Sequence, residues 1–273
     1  MLIAEPLLAK ALVVLLAVLL APAAGIVLSP RLRALAPPAL AERLAFVFAR
    51  RVDRQGRSPA ALAWRGGVVC LLLGLAGFGL GALAEHAAAF HPQGWLLLPA
   101  LLAACLSPLG PIGDGRRVLR LLEERAAVDA AQRRILPAQT IEQTAAALNG
   151  GLIAPLFWYG LLGLPGVGAY TALAAVERAA AARGASAFAE APQQVAVLMK
   201  WLPGWITGLL FLAASLFVPQ CSPGRALRSL IGAIRRPGWI VANPAIAIVA
   251  GALQAELANH RSSAARGGNF AVG

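Results

Sequence analysis

Uncharged apolar stretches alternate with arginine-rich segments along the 273 residues of this chain. A helix needs about 20 mostly apolar residues to cross a bilayer. Six stretches reach that length or fall a few residues short of it. The pattern therefore predicts an all-α, polytopic membrane helix bundle with about five or six membrane segments. The six stretches lie at about 7–28, 66–84, 95–112, 150–176, 205–218 and 239–253.

We expect residues 1–273 to form a single integral membrane domain. Within the first stretch, the apolar run from Ala11 to Leu28 follows Lys10 and resembles a signal peptide in part. Glu5, however, interrupts a basic leader, and the apolar core is long for a cleaved one. We therefore expect this stretch to be retained as the first span.

The fourth stretch, 150–176, is interrupted by Gly163-Leu-Pro-Gly166. One interpretation is a single kinked span, which the residues alone favour. The other is a re-entrant hairpin, which would bring Glu142 and Glu177 to one surface. Non-helical backbone at membrane depth is tolerated where protein or a water-filled cavity surrounds it, so the break is mild evidence for a site.

The arginine-rich segments indicate topology. By the positive-inside rule, 29–65, 113–142 and 219–238 face the cytoplasm, whereas 85–94 faces out. Segment 113–142 has an apolar side and a charged side, which predicts a cytoplasmic amphipathic helix at the interface. A single crossing at 150–176 would leave 177–204 outside. Arginine, alanine and leucine usage is typical of a GC-rich bacterium, so we expect a multi-pass protein of the bacterial inner membrane.

Composition supports the membrane assignment. Hydrophobic residues make up 59% of the chain and charged residues 13%, with a mean hydropathy of +0.71. Soluble domains carry about 25% charged residues, so an ordinary soluble enzyme domain is excluded. The net charge of +12 would suit a nucleic-acid binder, but the apolar runs favour the lipid bilayer as partner and no nucleic acid. The three cysteines and three histidines form no metal-ligand pattern.

Gly77 and Gly81 form a GxxxG pattern within the second stretch. Small residues at this spacing let another helix approach closely. The pattern predicts close helix packing and allows a homo-oligomer through this face.

Three blocks of sequence resemble a known family. They are Pro137-Ala-Gln139, Gly151-Leu-Ile-Ala-Pro-Leu-Phe157 and Gly163-Leu-Pro-Gly-Val-Gly-Ala-Tyr170. Together they are similar to motifs of the membrane adenosylcobinamide-phosphate synthase (CobD/CbiB) family of cobalamin biosynthesis. The similarity extends over about residues 55–255, and the block from Gly151 to Tyr170 is its specific part.

The resemblance implies a ligase that joins aminopropanol, or its phosphate, to adenosylcobyric acid, with ATP and magnesium as cofactors. It places catalytic carboxylates at Glu142 and Glu177. Tyr170 and the pair Arg116 and Arg117 become candidate substrate-binding residues, since guanidinium groups neutralise phosphate. No metal ligands are assigned.

The polar positions of the family motifs depart from the pattern. The second glutamate and the asparagine of the acidic motif fall on Ala146 and Ala147, and its aspartate falls on Gly150. Magnesium sites depend on carboxylate oxygens. We therefore expect a CobD/CbiB-like protein of corrinoid metabolism whose ligase activity is reduced or lost.

Two other functions remain open. The depleted polar positions are compatible with a non-catalytic membrane scaffold that binds a corrinoid or other cobalamin-pathway proteins. The broken fourth stretch is compatible with a small transporter, although the sequence shows no buried ion-coupling pair.

Overall fold

The structure is a computed structural model that describes residues 4–27, 36–52, 58–90, 94–106, 143–184, 186–217 and 223–234. These residues form helices and connecting turns without strands, which confirms the all-α prediction for this part of the chain. The helices are α1 Ala4–Val27, α2 Pro37–Val52, α3 Pro59–Phe90, α4 Leu97–Cys105, α5 Gln143–Leu162, α6 Leu164–Ala181, α7 Ala187–Ser215 and α8 Pro223–Ile234.

Three of these helices are long and apolar enough to cross a membrane. They are α3 with 32 residues, α5 with 20 and α7 with 29. Two shorter apolar helical stretches, Ala9–Ala21 and Gly94–Cys105, accompany them. The membrane-helix character is thus supported, whereas the expected five or six membrane segments are not confirmed.

Several helix boundaries differ from the apolar stretches. The stretch 66–84 extends to Pro59–Phe90, and 205–218 is the last part of α7, which begins at Ala187. Much of 177–204, which a single crossing at 150–176 would leave outside, is helical. The reason is that polar residues such as Lys200 end an apolar run without ending a helix. Segments 239–253 and 113–142 lie outside the described residues.

The chain divides into two compact units. The first comprises residues 1–109 and 150–203, and the second comprises 110–149 and 204–273. In the second, the amphipathic helix α8 buries Ala226 and Leu230 beside Trp205. The hydroxyl of Thr207 there donates a 3.0 Å hydrogen bond to the buried side-chain oxygen of Asn149. A single integral membrane domain over 1–273 stays a prediction.

Helix α6 is the centre of the first unit. It packs against α2, α3 and α5, and 12 of its 18 residues are buried. Most of the buried residues are alanine, glycine or valine, so the helices around α6 can approach its backbone. Helix α1 packs separately on α4, with Val13 and Ala17 against Leu102.

Glycines bring α3 and α6 into backbone contact. A Cβ atom added to Gly77 would lie 2.4 Å from the carbonyl oxygen of Gly168, and one added to Gly81 would lie 2.3 Å from that of Leu164. Neither position has room for a methyl group. The close helix approach expected from the GxxxG pattern is therefore an approach to α6 of the same chain. A homo-oligomer through these glycines stays a prediction.

Two prolines lie inside α7, and each removes one backbone donor. Pro192 cannot donate to the carbonyl of Phe188 in the preceding turn. In the same way, Pro203 cannot donate to the carbonyl of Met199. A Cβ added to Gly66 would lie 2.3 Å from the Phe188 carbonyl oxygen, so α3 covers this carbonyl closely. Membrane helices tolerate proline where neighbouring groups cover the freed backbone.

We expect Gly77→Ala to destabilise the protein by about 1–3 kcal/mol, because the added methyl group separates α3 from α6. Gly79→Ala is the matched control, since a Cβ there meets no atom within 4 Å. In a helix the control should be neutral or stabilising by up to about 1 kcal/mol. Thermal exposure of the buried Cys70 thiol to a fluorogenic maleimide measures both. Equal melting temperatures would contradict the packing.

Candidate functional site

The chain reverses direction at Gly163. Helix α5 ends at Leu162, Gly163 has a φ of 72°, and α6 begins at once with a proline in its first turn. Ala154 packs against Tyr170 and Ala174, which lie at a similar distance in sequence on the other side of the turn. The stretch 150–176 is therefore a helical hairpin. The kinked single span favoured by the residues alone is wrong, because left-handed backbone at a glycine followed by proline redirects the chain.

A hydrogen bond closes the hairpin at the end opposite Gly163. The Tyr170 hydroxyl donates to the carbonyl oxygen of Gly150 at 2.8 Å. Gly150 belongs to a π-helical turn, Asn149–Ile153, that lies within α5 between its two α-helical parts. Such turns are rare and are frequent at functional sites. Tyr170 is buried, so its phenol holds the hairpin together and presents little surface to a substrate.

A second hydrogen bond attaches α7 to the hairpin. The indole nitrogen of Trp158 donates to the carbonyl oxygen of Met199 at 3.2 Å. This carbonyl is the one that Pro203 leaves without a helical donor. The proline thus creates an acceptor that the tryptophan uses, and the bond fixes Lys200, the next residue, beside α6.

Two ion pairs flank the last turns of α6. Lys200 donates to the carboxylate of Glu177, and both side chains are less than one-third exposed, at 31% and 26%. The neighbouring Arg178 pairs with Glu42 of α2, where both side chains are more exposed. Adjacent residues of α6 therefore bind helices on two sides, with opposite charges.

Tyr170, Ala174 and Glu177 follow one another at helical spacing along one face of α6. On this face Tyr170 and Ala174 are buried, whereas the carboxylate of Glu177 is half-buried and accepts from the ammonium group of Lys200. The arrangement offers one acidic and one basic group near the surface of an otherwise apolar bundle. Such a pair can hold a polar substrate edge that carries both donors and acceptors.

A further carboxylate lies at the turn of the hairpin. A Cβ added to Gly163 would lie 2.6 Å from a carboxylate oxygen of Glu85. The carboxylate therefore sits at the N-terminus of α6, where the helix dipole favours negative charge. Glu85 was missed from the sequence, although an acidic residue near the end of a long apolar helix is a signal in itself.

The structure brings some predicted site residues together. Glu177 and Tyr170 share a face of α6, whereas Glu142, Arg116 and Arg117 lie outside the described residues. Lys200 was missed. The available signal was that Lys200 is one of only two lysines in the chain and lies within a mostly apolar helix. Within the described ranges, no three His, Cys, Asp or Glu side chains come together as metal ligands.

Comparison with curated proteins finds a relative that is similar to part of this chain. A "Cobalamin biosynthesis protein CobD" from Sinorhizobium sp is 32% identical over 141 residues, which is 46% of this chain and 44% of that protein. The chain thus matches less than half the length of this relative. No family model matches the chain, and no solved structure does. The similarity supports a CobD-like relationship over that part, and with the apolar helices it indicates a membrane protein.

We expect Tyr170→Phe to destabilise the protein by about 1–3 kcal/mol, because the carbonyl of Gly150 loses its donor inside the bundle. The thermal exposure of the Cys70 thiol measures the change. Tyr159→Phe, in a different buried cluster, controls for loss of a phenol oxygen in general. A melting temperature no lower than that of the control would show that the hydrogen bond does not hold the hairpin.

The two ion pairs should differ in strength. In double-mutant cycles with Glu177→Gln and Lys200→Met, we expect a coupling free energy of about 1 kcal/mol, since both groups are partly removed from water. The more exposed pair, tested with Glu42→Gln and Arg178→Met, should couple by less than about 0.5 kcal/mol. A larger coupling for the exposed pair would refute this ranking of the two contacts.

Proposed function

We propose that this chain is a CobD-like integral membrane protein of cobalamin biosynthesis in the bacterial inner membrane. The observation that carries the proposal is the 32% identity over 141 residues to a protein of that name. The three apolar helices support the membrane location. Its partners are the lipid bilayer, a corrinoid and other proteins of the pathway.

The site of this function lies between the last turns of α6 and the middle of α7. Glu177 and Lys200 provide complementary charges there, and the hydrogen bonds of Tyr170 and Trp158 hold their helices in place. In this proposal the pair binds the polar edge of the corrinoid or of the aminopropanol component. ATP and magnesium are included as cofactors only because the family that the sequence resembles uses them.

A non-catalytic scaffold is the second candidate, and the Glu177–Lys200 pair favours it. A carboxylate that accepts from an ammonium group is a weaker ligand for magnesium than a free one, because the two cations compete for the same oxygens. In this role the chain would bind pathway proteins or a corrinoid without joining its amide bond.

Complementation of a bacterial strain that lacks the synthase tests the proposal. We expect the wild-type chain to restore cobinamide formation at a reduced level, because most acidic positions of the family motif are lost. Glu177→Gln and Glu142→Gln should each lower it about tenfold or more, since a hydrogen bond to a charged group contributes roughly 1.5–3 kcal/mol. Glu190→Gln, an exposed carboxylate in the first turn of α7, is the matched control and should match the wild type.

The two candidate functions give different outcomes. Failure of the wild-type chain to restore cobinamide formation, with normal membrane expression, would reject the enzyme. Co-purification of cobalamin-pathway proteins with the same inactive chain would then favour the scaffold. Normal activity of Glu177→Gln would reject the polar end of α6 as the site while keeping the function.

A further inference from the structure

A groove of about 400 Å³ lies among α2, α3, α4 and α6 in the first unit. Its size falls in the range of ligand pockets, about 300–1,000 Å³. Gly77, Gly81 and Gly168 line it. At these positions α3 and α6 are in backbone contact, so they contribute no side chains to fill the space beside them. Leu40 and Leu44 of α2 form the opposite wall.

The chemistry of the groove excludes water as its main occupant. Among its lining residues, Thr171 and Cys105 supply the polar side-chain groups, and the others are aliphatic residues, glycine or proline. A buried water needs two to four polar partners. The groove is open and is bordered by α3, which is long and apolar enough to cross the membrane. Hydrocarbon is therefore the solvent available to it.

Charged residues lie close in sequence to the lining of the groove on α2 and α6. Its α6 lining residues lie in the first half of that helix, between Leu164 and Ala172. The Arg178–Glu42 pair lies in the last turns of α6. Arg43, exposed on the same turn of α2 as Leu40 and Leu44, adds a guanidinium that suits a phosphate group. The groove itself is lined without charged residues, and these charged groups lie next to its lining residues on α2 and further along α6.

We propose that this groove is a binding site for an anionic phospholipid, with one acyl chain between α2 and the glycine contact of α3 and α6 and the phosphate beside Arg43. The lipid would fill the space that the close contact of α3 and α6 leaves open. This proposal is independent of any role in cobalamin biosynthesis, because it concerns a surface away from Glu177 and Lys200.

Native mass spectrometry of the purified full chain tests the proposal, with phosphatidylglycerol and phosphatidylcholine as added lipids. We expect retention of one phosphatidylglycerol. Ala76→Phe and Leu44→Trp, which fill the groove from two helices, should each weaken its binding about tenfold, because a ring displaces several methylene groups. Leu83→Phe is the control on α3, at an exposed residue outside the groove.

Arg43→Gln tests the phosphate contact without altering the groove. It should abolish the preference for phosphatidylglycerol over phosphatidylcholine and keep acyl-chain binding, whereas Arg50→Gln, further along α2, should keep the preference. Protection of the Cys70 thiol confirms that each variant is folded. If Ala76→Phe or Leu44→Trp fails this check, the remaining filled variant and Arg43→Gln provide the comparison. Equal lipid retention by the filled variants and Leu83→Phe would overturn the proposal. A dimer of the wild-type chain that dissociates in the Ala76→Phe or Leu44→Trp variant would also overturn the proposal, because a second copy would then cover the groove.

Discussion

The backbone contact between α3 and α6 is the constraint on which the first unit depends. Gly77, Gly81 and Gly168 meet where a methyl group would have no room. Without a strong hydrophobic drive between helices inside lipid, such close packing supplies much of the association energy. It places α6 at the centre of the unit, against α2, α3 and α5, and so determines where the face of Tyr170 and Glu177 lies.

The hairpin and α7 depend on how freed backbone groups find partners. Pro203 releases the carbonyl of Met199, and Trp158 donates to it. Pro192 releases that of Phe188, and Gly66 packs closely over it. In both cases a residue that would break an isolated helix becomes a point of attachment to a neighbour. These attachments hold Lys200 beside Glu177. The ion pair therefore depends on the backbone contacts of α7 as well as on the attraction between the two charges.

In the block that resembles the family, the structure gives the glycine, proline and small residues clear packing roles. The polar positions of the family motif are mostly not retained. The block from Gly151 to Tyr170 forms a hairpin in which glycine, proline and small residues have evident packing roles. The carboxylate retained at Glu177 is paired with an ammonium group. The fold thus accounts for the glycine, proline and small residues of this block by packing.

Hydrophobic run length and residue size act locally, so the sequence alone was enough to predict the helical class of the described residues, their long apolar helices and the helix-packing glycines. It also located the break at Gly163, but not its direction. The chain folds back because Gly163 has a positive φ and residues such as Ala154 and Ala174 pack together, and these contacts exist only in the folded protein. The partner of Glu177 was likewise decided by tertiary packing. Lys200 lies in another helix, and no spacing rule links residues whose proximity depends on a third helix and a proline.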